Sequence, residues 1–167
     1  MAKTKIMILL GSFSDSAKMI PATKVLKGLD VPFAMLVTSA HRTPERTREL
    51  VKQANAEGFS IFICGAGMAA HLAGAVAACT VKPVIAVPLT SESSPLGGVD
   101  ALLSSVQMPP GIPVATVAID ASKNAAFLAL QILAIIDPVL KPKLLALREG
   151  AAKKIKADNE KLQAEIS

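Results

Sequence analysis

Five short apolar runs without regular polar alternation divide the first two thirds of the chain. They are Ile6–Leu10, Phe33–Val37, Ile61–Cys64, Val84–Val87 and Val114–Ile119. Continuous runs of this length are typical of strands that a parallel sheet buries on both faces. Helical spacing occupies the segments that follow them, at residues 15–28, 44–57, 67–79, 97–106 and 122–136. The pattern predicts repeated βα units with right-handed crossovers, and therefore an α/β fold on a doubly wound parallel sheet.

The last part of the chain has a different pattern. Among Lys and Glu residues, apolar positions recur at helical spacing: Leu140, Leu144, Leu147, Ala151 and Ile155. Asp137 and Pro138 have the residue types that favour an N-cap and a first helical position. We therefore predict an α/β domain over residues 1–137 and a long helix over residues 138–167. The periodicity leaves two interpretations open, in which this helix packs on a neighbouring subunit of a homo-oligomer or on its own chain.

Composition narrows the class of protein. Of the 167 residues, 51% are hydrophobic and 19% are charged, which predicts a folded domain with a substantial core. No apolar run approaches the roughly 18 residues of a membrane span. The first run is also shorter than the roughly 7–15 apolar residues of a signal peptide. These features predict a cytoplasmic protein that does not interact with membranes.

Cysteine content and charge exclude further classes. Cys64 and Cys79 both lie in apolar surroundings and are interpreted as small buried hydrophobic residues, not as a disulfide framework. With only two histidines beside them, no metal site is predicted. The net charge is +5, but the chain has no Trp or Tyr, so the stacking surface of a single-strand nucleic-acid binder is missing. The charge favours small phosphorylated metabolites as partners.

Polar segments follow the first four predicted strands, at residues 11–15, 38–44, 65–71 and 89–98. In a doubly wound sheet such segments lie along one edge, where ligands bind. Both histidines of the chain, His41 and His71, fall within them. His41 stands beside Arg42, which places a proton-transfer group next to an anion anchor. This convergence predicts an active site, although the segment around His41 could by itself be a surface turn.

Each of the other segments also has a simpler interpretation. In Gly11–Asp15 the serines could bind an anion at a helix N-terminus, but taken alone an ordinary capping role is favoured. His71 falls inside the predicted helix 67–79, where a structural histidine is the favoured interpretation. Residues 89–98 form the longest polar connection, which either covers a site or is a mobile surface loop.

Four motifs, in order along the chain, resemble the PurE family of purine biosynthesis. They are Gly-Ser-Phe-Ser-Asp at 11–15, Ser-Ala-His-Arg-Thr-Pro at 39–44, Gly-Ala-Gly-Met-Ala-Ala-His-Leu at 65–72 and Ser-Val-Gln-Met-Pro-Pro-Gly-Ile-Pro-Val at 105–114. The resemblance implies a flavodoxin-like three-layer αβα sandwich with a central parallel sheet, assembled as a homo-octamer. It also implies the activity of a 5-(carboxyamino)imidazole ribonucleotide mutase, which works without a metal or organic cofactor. Such an enzyme moves a carboxylate from the exocyclic nitrogen to carbon 4 of the imidazole through trapped carbon dioxide.

The resemblance assigns the proton transfers to one residue. His41 would protonate the departing nitrogen as carbon dioxide leaves, and would then remove the carbon 4 proton after carbon dioxide adds to the ring. A group with a near-neutral pKa suits both steps. Enclosure of the carbon dioxide is assigned partly to the 89–98 segment and partly to substrate-binding residues of the third motif, Gly67, Met68, Ala69 and His71.

The resemblance likewise implies how the rest of the ribonucleotide is held. Arg42 and Ser39 would anchor the phosphate together with Ser12 or Ser14, and Asp15 would lie on the ribose side.

The sequence Ala-His-Arg and the alanine-rich His-Leu motif resemble the mutase class, whereas carboxylases of the family typically have Ala-His-Lys. Met68 stands where a glycine is usual, Ala73 replaces a proline, and Glu92 and Pro95 make the 89–98 segment atypical. Two alternatives stay open. The chain could be an aminoimidazole ribonucleotide carboxylase that uses dissolved carbon dioxide, or a non-catalytic paralogue that binds a ribonucleotide.

Overall fold

One parallel sheet organises the computed structural model, which describes residues 4–166. The strands of this sheet are β1 Lys5–Leu10, β2 Phe33–Val37, β3 Phe59–Gly67, β4 Val84–Leu89 and β5 Ala115–Thr116. They are arranged in the order β2-β1-β3-β4-β5, and each neighbouring pair is parallel. This is the flavodoxin-like order, whose topological switch point lies between β1 and β3. The predicted fold class is confirmed.

The helices that connect and follow these strands are α1 Ser16–Gly28, α2 Pro44–Ala56, α3 Leu72–Ala77, α4 Val99–Val106, α5 Ser122–Leu133 and α6 Leu140–Ile166. A turn of 3-10 helix, Phe13–Asp15, precedes α1. Successive strand residues face opposite sides of the sheet, so two helix layers can each cover one face. Val51 of α2 and Val76 of α3 share a buried cluster with Cys64 of β3. The neighbouring Gly65 faces the other layer, where it lies against Met19 of α1.

Strand burial follows position in the sheet. The residues of β4 are all buried, as are those of β1 from Ile6 onwards, which is why both strands are continuous apolar runs. The edge strand β2 is only partly buried, and the exposed fraction of Val37 reaches 40%. Burial on both faces therefore holds the carboxyl ends of the central strands, and the loops that leave them, in fixed positions.

The fifth strand is shorter than predicted, because only Ala115 and Thr116 of the 114–119 run are paired with β4. The Val117 and Asp120 N–H groups still donate to the carbonyls of Ala86 and Pro88, at 3.1 and 2.9 Å. The carbonyl of Pro88 therefore faces β5, and so does its nitrogen, which carries no hydrogen to donate. The ladder is interrupted at this proline.

Three predicted helices begin at least two residues later than expected. The predicted helix 97–106 begins at Val99, because Gly97 and Gly98 have positive φ of +57° and +87°. The predicted helix 67–79 is confined to α3, because Gly67 still belongs to β3 and Met68 has a left-handed backbone with φ of +55°. The predicted start at Pro138 is also wrong, since α6 begins at Leu140. Asp137 nevertheless accepts two hydrogen bonds just before that start. Its side chain accepts from the Val139 N–H, and its carbonyl accepts from the Leu140 N–H.

The chain divides into two compact units within α5, between Ala129 and Leu130. The first contains the sheet and the loops at its carboxyl edge. The second contains the end of α5 and the 27-residue helix α6. No helix among residues 4–166 is both long and apolar enough to cross a membrane.

Candidate active site

A cavity of about 560 Å³ opens at the carboxyl ends of β1, β2 and β3. Its walls come from the segments that follow these strands and from two serines of the 89–98 segment. All ten residues proposed as site residues from the sequence line this cavity: Ser12, Ser14, Asp15, Ser39, His41, Arg42, Gly67, Met68, Ala69 and His71. The Gly11 N–H donates to the Gly65 carbonyl at 3.0 Å, which joins the first and third segments at the switch point.

The segment after β1 is held in place by its own polar side chains. The Ser12 N–H donates to Asp15 Oδ2 at 2.9 Å, and the Ser14 hydroxyl donates to Ser12 Oγ at 2.9 Å. Ser12 and Asp15 form a capping box at the 3-10 turn, so the capping interpretation of this segment is correct. Ser12, Ser14 and Asp15 also line the cavity, so the same side chains belong to both the cap and the site.

Burial raises the pKa of the Asp15 carboxyl, and two weaker effects oppose it. The Ser12 N–H and the charge of Lys18 each favour the ionised form and lower this pKa. Asp15 is therefore a partly desolvated acceptor at the cavity wall, suited to a ligand hydroxyl.

Threonines build the segment after β2. Buried Thr38 lies with its Oγ1 2.8 Å from Oγ1 of Thr47 in α2, which ties the end of the strand to the following helix. The Thr43 N–H and hydroxyl both donate to the Ser39 carbonyl, at 2.8 and 3.0 Å. The turn that results presents Ser39 and Arg42 on its outer side. Ser39 Oγ accepts from the Arg42 N–H at 3.2 Å and from Arg42 Nε at 3.5 Å.

The two histidines meet inside the cavity. Nε2 of His41 lies 2.8 Å from Nδ1 of His71, and the rings are nearly perpendicular, with centroids 4.9 Å apart. Between two neutral rings a single proton occupies this contact, so one nitrogen donates and the other accepts. His71 directly precedes α3 instead of lying inside a helix, and it is exposed, with His41 as its hydrogen-bond partner.

The end of β3 and the residues that follow it form another wall of the cavity. A Cβ on Gly67 would lie 3.1 Å from the Leu89 carbonyl oxygen, so a larger residue would press against β4. Met68 follows in the left-handed conformation, with 46% of its surface exposed at the cavity. A non-glycine residue is unfavourable in this region of backbone space, and such residues concentrate at binding sites.

Ser91 and Ser93 also line the cavity, and the sequence had not singled them out. The available signal was the run Ser91-Glu92-Ser93-Ser94 directly after a strand. Sequence reasoning had treated the whole 89–98 segment as one possible cover. Which of its residues face the cavity depends on the turns within it.

The described part of the chain contains no group of three or more His, Cys, Asp or Glu placed to hold a metal ion. Cys64 is buried in the core and its pKa is raised by desolvation, so it remains a neutral thiol. The polar side-chain groups that line the cavity are hydroxyls, imidazoles, one carboxyl and one guanidinium.

Comparison with known proteins gives one consistent result. Residues 5–154 match the family model described as AIR carboxylase. The chain is 52% identical over 158 residues to the N5-carboxyaminoimidazole ribonucleotide mutase of Methanocaldococcus jannaschii, covering 95% of this chain and 97% of that protein. It is 49% identical over 153 residues to the protein of the same name from Haemophilus influenzae, covering 90% and 92%. The crystal structure of Treponema denticola PurE superposes with a TM-score of 0.86 at 32% identity, covering 95% and 98%.

Proposed function

Because the chain belongs to the AIR carboxylase family, we propose that it is an N5-carboxyaminoimidazole ribonucleotide mutase of purine biosynthesis. The observation that carries this proposal is the convergence of three separate segments, 11–15, 39–42 and 66–72, on one cavity at the switch point of the sheet. Several relatives that share about half of its residues over most of its length carry this name.

The reaction moves one carboxylate and leaves the proton count of the enzyme unchanged. The bond between the exocyclic nitrogen and the carboxyl carbon breaks, carbon dioxide is released into the cavity, and the nitrogen takes a proton. Carbon 4 of the imidazole then attacks carbon dioxide, and the carbon–carbon bond forms. Loss of the carbon 4 proton restores the aromatic ring and gives 4-carboxy-5-aminoimidazole ribonucleotide.

His41 is the acid and base of both half-reactions. Its imidazolium form gives a proton to the nitrogen in the first step, and the neutral imidazole that results takes the carbon 4 proton in the second, which restores the starting state. The 2.8 Å contact with His71 supports this role, because a hydrogen bond at one ring nitrogen selects the tautomer and orients the ring. His71 is thus a positioning residue for His41 as well as part of the cavity wall.

The ribonucleotide is held by the segment that contains His41 and by the segment that follows β1. Arg42 binds the phosphate with its guanidinium, helped by the Ser39 hydroxyl, whose oxygen already accepts from the Arg42 main chain. Ser12 and Ser14 extend this hydroxyl surface, and Asp15 accepts from the ribose. The proximity of these groups within one cavity supports the assignment.

The imidazole ring lies against Gly67, Met68 and Ala69. The absence of a side chain at Gly67 lets a flat ring approach the backbone, and Met68 supplies an apolar wall for carbon dioxide. Enclosure matters because carbon dioxide that escapes leaves the decarboxylated ribonucleotide instead of the product.

The enzyme acts in the cytoplasm as a homo-octamer, in which α6 packs on a neighbouring subunit. Exposed apolar side chains support this packing: Leu145, Leu147, Ile155, Leu162 and Ile166. Ile155→Glu should reduce the mass measured by sedimentation, whereas Lys154→Glu, at the adjacent position, should not. Equal masses for both variants would contradict a subunit contact at Ile155.

The decisive experiment supplies the purified protein separately with N5-carboxyaminoimidazole ribonucleotide and with aminoimidazole ribonucleotide plus 13C-bicarbonate. A mutase converts N5-carboxyaminoimidazole ribonucleotide. When this substrate is supplied in 13C-bicarbonate, the product of a mutase contains little label. Rapid conversion of the second, with full label incorporation, would identify a carboxylase instead. Binding of the ribonucleotides without conversion would identify a non-catalytic paralogue.

His41→Asn tests the assignment of the acid–base. The variant should fold and assemble as the parent does but lose at least about two to four orders of magnitude in turnover, the range of general acid–base catalysis. Turnover close to that of the parent would remove His41 from the mechanism.

A further inference from the structure

The two ends of the 90–98 loop lie against adjacent residues just beyond β5: Thr90 contacts Asp120, and Gly98 lies against Ile119. At the first end, the Thr90 N–H donates to Asp120 Oδ1 at 2.9 Å and the Thr90 hydroxyl donates to Asp120 Oδ2 at 2.6 Å. At the other end, a Cβ on Gly98 would lie 2.7 Å from Ile119 Cγ2 and 3.3 Å from Thr90 Cγ2. The loop therefore begins and ends beside Ile119 and Asp120, so its position depends on how these two residues are held.

A lysine completes the first attachment. Lys18 Nζ, from the first turn of α1, donates to both the carbonyl and the hydroxyl oxygen of Thr90, and lies 3.9 Å from Asp120 Oδ1. The Ser122 hydroxyl donates to the Lys18 carbonyl at 2.6 Å, which ties α1 to the start of α5 beside the same cluster. We call Lys18, Thr90 and Asp120 the loop clamp.

The backbone at Asp120 is in an unfavourable conformation, with φ of +56°. Glycine would adopt it without strain, and aspartate tolerates it better than most residues. Its side chain makes two hydrogen bonds to Thr90 from this position, and non-glycine residues persist in such conformations where the surrounding structure requires them. The local strain therefore accompanies a specific contact with the loop.

The clamp is directly connected to the cavity. Ser91, the residue after Thr90, lines the cavity together with Ser93. The charge of Lys18 also acts on Asp15, whose pKa it lowers against the effect of burial. One lysine thus interacts with the wall formed by the first segment and with the attachment of the loop that covers it.

We propose that Lys18 and Asp120 are positioning residues that hold the 90–98 loop over the cavity through Thr90 and thereby retain carbon dioxide between the two half-reactions. This inference rests on the proposed function. It predicts that loosening the clamp changes the fate of the substrate more than its affinity, because neither residue lines the cavity.

Asp120→Gly is the sharpest test, because it removes both contacts to Thr90 while relieving the backbone strain, so folding is maintained. Asp30→Gly is the matched control, since Asp30 has φ of +59° and lies in the turn before β2, at the opposite edge of the sheet. Asp120→Asn keeps an oxygen that can accept from the Thr90 N–H and should restore part of the parent behaviour.

The first measurement is amide hydrogen exchange of the full-length chain, which does not depend on activity. Exchange in the Thr90–Gly98 region should become at least about tenfold faster in Asp120→Gly, as expected for the loss of hydrogen bonds to a charged acceptor, and should be unchanged in Asp30→Gly. Unchanged exchange in Asp120→Gly would overturn the clamp.

The second measurement is the fraction of consumed N5-carboxyaminoimidazole ribonucleotide that appears as aminoimidazole ribonucleotide. This fraction should rise several-fold in Asp120→Gly and in Lys18→Met, with KM changed less than twofold in Asp120→Gly. Faster exchange with an unchanged fraction would show that the clamp does not retain carbon dioxide. If the parent chain converts none of the substrate, the proposed function fails and retention fails with it, while the exchange result still decides the clamp.

Discussion

Met68 offers the most quantitative test of the site, because two substitutions at this position separate its backbone from its side chain. Its φ of +55° lies in the left-handed region, and its side chain is half exposed at the cavity. Met68→Ala removes the side chain and keeps the backbone strain. Met68→Gly removes both.

The expected difference between the two variants follows from backbone energetics. A residue with a Cβ pays about 1–2 kcal/mol in the left-handed region, whereas glycine loses about 0.5–1 kcal/mol more conformational entropy on folding. Both variants lose the same partial burial of the Met68 side chain, so that contribution cancels. Taken at the middle of both ranges, the glycine variant should therefore be more stable than the alanine variant by about 0.75 kcal/mol, which is about 1.5–3 °C in Tm for a chain of this length.

Thermal unfolding of both variants at one protein concentration provides the measurement, because assembly makes Tm depend on concentration. Leu96→Ala is a suitable control, since Leu96 is 58% exposed in the 89–98 segment and does not line the cavity. An alanine variant that equals or exceeds the glycine variant in Tm would show that the backbone at Met68 is not strained.

The same two proteins test the side chain as a wall for carbon dioxide. If Met68 encloses the cavity, both variants should release a larger fraction of decarboxylated ribonucleotide than the parent, and by similar amounts, because both lack the same apolar group. Leu96→Ala should behave as the parent. If both variants release the same fraction of decarboxylated ribonucleotide as the parent, Met68 does not enclose carbon dioxide.

Three further predictions concern two residues of the cavity wall and one glycine packed beneath α1. Arg42→Ala should raise KM by about 10- to 100-fold with a smaller effect on kcat, as expected for loss of a charged hydrogen bond, and an unchanged KM in steady-state assays would refute phosphate anchoring. Gly65→Ala should lower the free energy of unfolding by about 1–3 kcal/mol in urea titrations, because the new Cβ would lie 2.6 Å from Met19 Sδ; wild-type stability would show that Met19 can move away. Burial raises the pKa of Asp15, so the folded chain binds this proton more tightly than the unfolded chain, and the resulting stability is lost as pH rises through the raised pKa. Asp15→Asn should therefore gain stability relative to the parent between acid and neutral pH, and urea midpoints that differ equally at every pH would contradict this linkage.

A matched control sharpens the arginine prediction. Arg46 is an exposed arginine one turn further along, in α2, and it does not line the cavity. Arg46→Ala removes the same charge from the same region of the chain. A KM that rises equally in both variants would indicate a general electrostatic effect instead of a phosphate contact at Arg42.

Much of the site could be predicted because the topology of a doubly wound sheet determines where ligands bind. Once the apolar runs were recognised as parallel strands, their carboxyl ends had to share one edge, so the segments containing Ser12, His41 and Gly67 were expected together. The structure confirms that all the proposed residues line one cavity. Their chemical roles remain proposals, which the experiments above address.

Other features were not accessible from the sequence. The helix predicted to contain His71 begins only at Leu72, because Met68 adopts a positive φ that periodicity cannot detect. The contact between His41 and His71 follows from that displaced start. The clamp on the 90–98 loop likewise joins Lys18, Thr90 and Asp120, which are separated by 72 and 30 positions along the chain.

The sequence by itself determined the fold and the location of the site. Burial on both faces demands continuous apolar strands, and the parallel sheet that results brings the polar segments to one edge. Only the tertiary structure decided which side chains meet there, because a hydrogen bond such as that between the two histidines depends on the backbone angles of a few turn residues. Those angles depend on close contacts between distant strands, as at Gly67 and Leu89, and such contacts leave no periodic trace along the chain.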